Sequence, residues 1–159
     1  MNHKKLTIAY QEFNSDNELP KHDQQLIKAA EQIAQQSYSP YSRFKVGAAI
    51  LLKNGEIISG ANQENAAYPS GLCAERVALF YANSQFPGVA VVKIAIVAFN
   101  KKGLLEQAVP PCGACRQVMS ESEQRFKSPI EVILKGQKNV LILKDVESLL
   151  PFSFNKDYL

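Results

Sequence analysis

Residues 45–61 read KVGAAILLKNGEIISGA and carry the strongest folding signal in the chain. Two apolar runs rich in strand-forming residues flank Asn54-Gly55, a dipeptide that tight hairpin turns favour. The pattern therefore predicts a β-hairpin with one strand on each side of this turn. The remaining elements are expected to assemble around it.

Helical periodicity is present on both sides of the hairpin. Between residues 19 and 37 apolar side chains recur at helical spacing, and Pro20 suits the first turn of that helix. After the hairpin, the segment CAERVALFYAN predicts a second helix. Its Val77, Ala78 and Phe80 are expected to face the core.

The second half of the chain alternates between strand and helix signals. GVAVVKIAIVAF predicts a buried strand, PPCGACRQVMSESEQ a helix, and PIEVILK and VLILK two further strands. DVESLLP predicts a short helix capped by Asp145, followed by an irregular tail, and residues 3–10 are expected to form a short extra strand. The order predicts an α/β fold, a three-layer α-β-α arrangement around a central mixed sheet of about five strands. We expect a single domain over residues 1–159, with residues 1–18 as an N-terminal extension.

Composition excludes several classes of protein. The hydrophobic fraction of 46% and the charged fraction of 21% are those of a globular domain. The net charge of +3 comes from scattered basic residues, so no nucleic-acid partner is expected. The most apolar stretch, VAVVKIAIVAF, contains a lysine and is far shorter than the roughly 20 residues of a membrane span. We therefore expect no membrane partner, a cytoplasmic protein and reduced thiols.

The three cysteines form two groups, Cys73 in SGLCAER and Cys112 with Cys115 in PPCGACRQ. Both groups are predicted at helix starts, where the helix dipole favours thiolates, and two thiolates three residues apart suit tetrahedral zinc. The alternatives are a redox dithiol, a buried structural Cys73, or a structural zinc closed by four ligands. His3 and His22 lie far from these motifs in the sequence. Three cysteines with an open fourth position are therefore better explained as a catalytic zinc site.

Glu75 and two arginines lie beside these cysteines. Glu75 is two residues from Cys73, and side chains at that spacing do not share a helix face, so it is a poor ligand. It is instead suited to hold a proton of a water at the open metal position, although an acid in a first helical turn also stabilises the helix alone. Arg76 could offset the charge of three thiolates by hydrogen bonding to the sulfurs. Arg116 is a second candidate, and a surface arginine is the alternative for both.

Cys-Ala-Glu followed by Pro-Cys-x-x-Cys resembles the signature of zinc-dependent nucleobase deaminases, with cysteine in place of a histidine. The longer run from SPYSRFKVGAAILLKNGEIISGANQENAAYPSGLCAERVAL through PPCGACRQVM to LLPFSF is similar to the small homotetrameric cytidine deaminases. The resemblance covers roughly residues 25–155. It implies one zinc ion per subunit, held by Cys73, Cys112 and Cys115, with Glu75 as the proton shuttle.

The resemblance also implies the substrate contacts. Asn62 and Glu64 match residues that hydrogen-bond the ribose hydroxyl, and Phe44 matches an aromatic residue that packs on the nucleoside. The backbone near Ala74 and Cys112 is expected to contact the pyrimidine. Phe154 matches a tail residue that stacks on the base in a neighbouring subunit, and Phe152, where a small residue is common, competes for that role.

The implied activity is the hydrolytic deamination of cytidine and 2′-deoxycytidine to uridine and 2′-deoxyuridine with release of ammonia, in pyrimidine salvage. The enzyme is then a hydrolase acting on C–N bonds, with a nucleoside as its small-molecule partner and active sites shared within a homotetramer. Two rivals remain. One is a deaminase of another base, such as a nucleoside antibiotic or a base in nucleic acid, and the other is a zinc-stabilised binding or redox protein without catalysis.

Overall fold

The predicted hairpin is present at one edge of the sheet. A computed structural model of the chain describes residues 1–159. Strands β2 (Lys45–Leu52) and β3 (Ile57–Ala61) pair antiparallel around the predicted turn. Gly55 adopts a φ of 91°, a left-handed conformation that glycine reaches without a steric penalty. The turn dipeptide therefore determines where the chain reverses.

Three helices and five further strands complete the fold. The helices are α1 (Lys21–Ala34), α2 (Ala74–Gln85) and α3 (Gly113–Phe126). The strands are β1 (Gln11–Phe13), β4 (Val91–Asn100), β5 (Gly103–Leu104), β6 (Glu131–Lys135) and β7 (Val140–Leu143). Short 3₁₀ turns lie at Asp16–Glu18, Tyr68–Ser70, Glu147–Leu149 and Lys156–Tyr158. None of the helices has the length and apolar character that crossing a membrane requires.

The strands form one mixed sheet in the order β1-β7-β6-β4-β2-β3, with β5 added to the end of β4. Only β4 and β6 are parallel, because α3 lies between them in sequence and carries the chain back across the sheet. The predicted five strands are β2, β3, β4, β6 and β7. The two additional strands are three and two residues long.

The helices cover both faces of the sheet, which confirms the predicted three-layer arrangement. α1 packs on one face, and α2 and α3 pack next to each other on the opposite face. The first core contains Leu26, Ile27, Ala30, Ala34, Ala49, Ala95, Val97 and Ile133. The second contains Ile50, Ala74, Ala78, Leu79, Ile94, Ile96, Met119, Val132 and Leu134. β4 contributes alternate residues to both cores, so its nearly continuous apolar sequence follows from burial on both faces.

The N-terminal segment differs from expectation. Residues 3–10 form no strand, and the strand begins at Gln11, where the chain pairs with β7. In this register only Tyr10 would still lie opposite β7, at Leu143, so residues 3–9 lie beyond the end of that four-residue strand. The 3₁₀ turn that follows is held by Lys135 Nζ, which contacts Asp16 Oδ1 at 2.9 Å. Pro20 caps α1 and does not occupy its first turn.

α2 also buries a different side chain from the one expected. Ala78 is buried and Val77 is half-buried, but Phe80 is 47% exposed, and Leu79 fills the core position instead. Ala74 and Ala78 lie where α2 approaches β3 most closely. At Gly60 in β3, a Cβ atom would lie 2.6 Å from Ala78 N and 2.7 Å from Ala74 O. The absence of a side chain at this position allows α2 to start next to β3.

We predict that Gly60→Ala lowers the free energy of unfolding by about 1–3 kcal/mol, as overpacking a well-packed core usually does. The added methyl group would meet helix backbone, which has no alternative rotamer. Urea denaturation measures the change. Gly88→Ala is the matched control, since no atom lies within 4 Å of a Cβ at Gly88. Equal stability of the two variants would contradict the close approach of α2 to β3.

Candidate metal centre and active site

The three cysteines meet where α2 and α3 begin. Cys73 is the N-cap of α2, Cys112 is the N-cap of α3, and Cys115 lies in the first turn of α3. The Sγ atoms of Cys73 and Cys112 are 3.8 Å apart, and those of Cys112 and Cys115 are 3.5 Å apart. All three sulfurs lie within 4.8 Å of one another. The tertiary structure thus joins two motifs that are 39 residues apart in sequence.

This geometry fits a zinc ion. Tetrahedral zinc with Zn–S bonds near 2.3 Å places its sulfurs about 3.8 Å from each other. The separations of 3.8 Å and 3.5 Å are close to this value, and all three thiols are free of disulfides. No histidine joins the cluster, because His22 lies beside Asp23 and Lys93 at the start of α1. Cys73, Cys112 and Cys115 are therefore the residues that could hold a metal ion.

The sulfur of Cys73 is surrounded by hydrogen-bond donors. The Cys115 thiol and the Arg76 guanidinium donate to it and lower the pKa of Cys73 to about 5. Burial opposes this shift, but more weakly than the hydrogen bond from Cys115. Donation to the neighbouring thiolate and burial in turn raise the pKa of Cys115. Cys73 is the thiol of this pair that ionises more readily.

The two candidate arginines differ in their position relative to the sulfurs. Arg76 Nη2 lies 3.7 Å from Cys73 Sγ, and Arg76 Nε is buried without a hydrogen-bond partner. Arg116 turns away from the sulfurs, since its Nε donates to Pro111 O and its Nη1 to Leu149 O, each at 2.8 Å. Arg76 is thus the arginine at the metal ligands. Arg116 instead ties the C-terminal segment to α3.

Glu75 lies in the first turn of α2, is only 4% exposed, and still contributes to the wall of the cavity beside the sulfurs. Burial raises the pKa of its carboxyl group, because removal from water disfavours the charged form. The carboxylate is not among the ligand atoms that cluster within 4.8 Å. Its position agrees with the argument that residues two apart on a helix face different directions.

A cavity of about 870 Å³ opens from the metal cluster to the surface. Cys73, Cys112, Glu75 and Arg76 line one end. The rest of the wall is formed by Tyr41, Ser42, Phe44, Val46, Asn62, Gln63, Glu64, Asn65, Tyr68, Gly71, Leu72, Ile96, Val109 and Pro110. The volume is within the range of small-molecule sites, and the wall combines apolar surface with a few polar groups.

Asn62 lies on the cavity wall and also binds its own chain. Its Oδ1 accepts hydrogen bonds from Ser37 Oγ at 2.6 Å and from Val46 N at 2.8 Å. Its Nδ2 donates to Phe44 O at 2.9 Å. Asn62 therefore holds the start of β2 against the end of β3, and only one N–H of its amide is left for a ligand.

Glu64 is held by the loop that precedes β2. Its carboxylate accepts hydrogen bonds from Tyr41 N at 2.9 Å, from Ser42 N and from Ser42 Oγ. The Ser42 hydroxyl makes the largest contribution to a lowered pKa of Glu64. Glu64 is thus an ionised acceptor at neutral pH, placed on the cavity wall.

The other expected substrate contacts lie in different places. Phe44 lines the cavity, whereas Ala74 is buried at the first position of α2. Phe154 lies outside the cavity of its own chain, is 60% exposed and stacks on Tyr158 with ring centroids 5.8 Å apart. Gln117 Nε2 donates to Phe154 O at 2.8 Å and attaches the tail to α3. Phe152 is 98% exposed and adopts a left-handed φ of 60°.

Several residues that line the cavity were not predicted as site residues from the sequence, among them Tyr68, Leu72, Val109 and Pro110. All four precede the cysteine that caps α2 or α3 by one to five residues. A chain segment that leads into either helix must pass the place where the two helices begin. Proximity to the two motifs could therefore have identified these residues.

Known proteins resemble this chain in sequence and in fold. A family model for the cytidine and deoxycytidylate deaminase zinc-binding region matches residues 20–127. A cytidine deaminase of Halalkalibacterium halodurans is 56% identical over 98 residues, 62% of this chain and 70% of that protein. A cytidine deaminase of Sporosarcina psychrophila is 40% identical over 134 residues, 84% of this chain and 92% of that protein.

Solved structures agree with the sequence matches. The crystal structure of cytidine deaminase from Burkholderia pseudomallei superimposes with a TM-score of 0.71 at 38% identity, over 86% of this chain and 100% of that one. Cytidine deaminase from Mycobacterium tuberculosis gives a TM-score of 0.65 at 31% identity, over 83% and 96% of the two chains.

A covered mixed sheet with three cysteine sulfurs and a separate glutamate at two helix N-termini defines a zinc-dependent deaminase. Together with the sequence matches, these features place the chain in the cytidine and deoxycytidylate deaminase family. The predictions of fold and family are confirmed.

We predict that Cys73→Ser, Cys112→Ser and Cys115→Ser each lower the zinc content from about one ion per chain to near zero. Loss of one of three thiolates leaves too few protein ligands for a stable tetrahedral site. Metal analysis of purified protein, with a thiol titration, measures the effect. His3→Gln is the control and should keep its zinc, since His3 is exposed and outside the cluster. Full zinc in any of the serine variants would contradict the three-sulfur site.

Proposed function

We propose that the protein catalyses the hydrolytic deamination of cytidine and 2′-deoxycytidine, giving uridine and 2′-deoxyuridine with release of ammonia. The observation that carries this proposal is the pair of carboxylates in one cavity. Glu75 is buried beside the three sulfurs, and Glu64 is an ionised acceptor elsewhere on the same wall. A proton-transfer group and a hydroxyl-binding group on one wall suit a substrate with a reactive ring and a sugar.

The metal end of the cavity performs the chemistry. Zinc, when bound by Cys73, Cys112 and Cys115, would supply Lewis acidity, which lowers the pKa of water to about 7. Glu75 takes a proton from the attacking water and delivers it to N3 of the pyrimidine. The oxygen of that water adds to C4. Glu75 then transfers the second proton to the amino group, which leaves as ammonia.

The geometry around Glu75 supports this role. The side chain is almost fully buried, so its carboxyl group is shielded from bulk water. Arg76 contacts Cys73 and offsets part of the negative charge that three thiolates bring. Glu75 and Arg76 are neighbours on the same helical turn, so one helix start positions both groups.

The opposite side of the cavity orients the nucleoside. Phe44 offers an aromatic surface, Glu64 accepts from a sugar hydroxyl, and Asn62 can donate its remaining amide proton. Binding of the sugar would place C4 of the base at the metal end. The backbone around Ala74 and Cys112 is proposed to contact the pyrimidine edge.

We further propose that the protein is a homotetramer whose active sites are shared between subunits, with one zinc ion in each. Phe80 and Tyr81 on α2 and Phe152 and Phe154 in the tail are exposed aromatic side chains, and they supply apolar surface for association. Phe154 lies outside its own cavity, which fits a role in a neighbouring one.

The free thiols fit a cytoplasmic location and a function in pyrimidine salvage. A single domain over residues 1–159 and the absence of nucleic-acid and membrane partners belong to the same proposal.

The function is tested by ammonia release from cytidine, 2′-deoxycytidine, cytosine, dCMP and adenosine. We expect turnover of the first two, because they offer both the aminopyrimidine and the free sugar. Glu75→Gln should keep its zinc and lose about 10²- to 10⁴-fold in kcat, the usual contribution of a proton-transfer group. Glu121→Gln, on the exposed side of α3, is the control. Turnover of adenosine alone, turnover of none of these compounds, or an active Glu75→Gln would overturn the proposal.

The tail is tested by Phe154→Ala against Phe152→Ala. Stacking on a base contributes about 1–3 kcal/mol, so the loss of Phe154 should raise KM for cytidine about tenfold or more. Phe152→Ala should leave KM close to the wild-type value. Sedimentation should give a tetramer for all three proteins. A larger rise in KM for Phe152→Ala would assign the stacking to Phe152, and an active monomer would exclude shared sites.

A further inference from the structure

The Ser42 hydroxyl joins two residues of the cavity wall. It donates a hydrogen bond to Glu64 Oε1 and accepts one from the Phe44 N–H at 3.0 Å. Phe44 and Glu64 both line the cavity, as does Ser42 itself. The Ser42 hydroxyl is therefore hydrogen-bonded both to the carboxylate of Glu64 and to the backbone of Phe44.

The hydrogen bonds to Glu64 come from one side. Tyr41 N donates to Oε2 at 2.9 Å, and Ser42 N approaches Oε2 at 3.3 Å and Oε1 at 3.4 Å. A carboxylate offers about four lone-pair directions, so these donors and the Ser42 hydroxyl use most of them. The remaining direction is left for a ligand hydroxyl. Of these donors, only the Ser42 hydroxyl can be removed without changing the backbone.

We propose that Ser42 is a positioning residue for the sugar end of the substrate, which holds the Glu64 carboxylate in the orientation that accepts a sugar hydroxyl. This inference rests on the proposed nucleoside deamination. Ser42 acts through Glu64 and does not itself take part in the chemistry at the metal end. Its hydroxyl also accepts a hydrogen bond from the backbone N–H of Phe44, a contact that does not involve the Phe44 ring.

Two nucleosides that differ only in their sugar hydroxyls should respond differently to the loss of the Ser42 hydroxyl. In Ser42→Ala the Glu64 carboxylate keeps its backbone donors but loses the hydrogen bond from the Ser42 hydroxyl, so it can rotate away from the sugar. A nucleoside with hydroxyls on its sugar then binds less well. A nucleoside without the 2′ and 3′ hydroxyls has no such contact to lose.

The experiment compares cytidine with 2′,3′-dideoxycytidine in the full-length, zinc-loaded enzyme. Ser42→Ala should raise KM for cytidine about tenfold with a small change in kcat, as loss of a hydrogen bond to a charged group predicts. Its kcat/KM for 2′,3′-dideoxycytidine should stay within about twofold of wild type. Ser42→Thr, which keeps the hydroxyl, should recover most of the affinity. In a Glu64→Ala background, Ser42→Ala should have no further effect on KM.

Ser39→Ala is the matched control, since Ser39 lies in the same loop and its backbone carbonyl, which the substitution leaves in place, accepts from Arg43 N. An equal loss on both nucleosides in Ser42→Ala would assign the serine a general structural role and overturn the inference. An unchanged KM for cytidine would overturn it as well. If the wild-type enzyme released no ammonia from cytidine, the proposed function itself would fail, and that result is seen before any variant is made.

Discussion

The site depends on one packing constraint: α2 and α3 must begin at the same place on one face of the sheet. Their first residues bring Cys73, Cys112 and Cys115 within 4.8 Å of one another. Gly60 makes this possible on the β3 side, since any Cβ there would clash with the backbone of α2. The two helix N-termini then add their exposed N–H groups and positive dipole ends to a site that holds three thiolates. The metal centre is thus a consequence of how closely helix and sheet approach.

The same cavity gives two carboxylates opposite properties. Burial raises the pKa of Glu75, whereas the Ser42 hydroxyl and nearby backbone N–H groups lower the pKa of Glu64. One group is thereby suited to move protons, and the other is suited to accept hydrogen bonds in its ionised form at neutral pH. Environments that separate the pKa values of two acids are a recurring way of dividing tasks within one active site.

Some features followed directly from local sequence patterns. The Asn54-Gly55 turn, the apolar run of β4 and the cysteines at the starts of α2 and α3 were all predicted, because each depends on a short stretch of chain. The outward position of Phe80 was not predicted. Val77, Ala78 and Phe80 all fit a helix, but the buried side of α2 is the one that carries Ala74, Ala78, Leu79 and Ala82, and Phe80 lies outside it. The strand at residues 3–10 failed for a related reason, since a strand needs a partner and β7 ends too early.

Local sequence patterns were sufficient to predict the main helices and strands and to identify the three cysteines as candidate metal ligands, because hydrophobic period, turn chemistry and cysteine spacing act over a few residues. The hydrogen-bond partners of the polar side chains, in contrast, follow only from the packed fold. In the packed fold the amide of Asn62 accepts a hydrogen bond from the start of β2, and Arg116 donates to backbone carbonyls instead of the sulfurs. Ser42 lies between Phe44 and Glu64. Hydrogen bonds act over about 3 Å, so their partners are set only after distant segments have packed together.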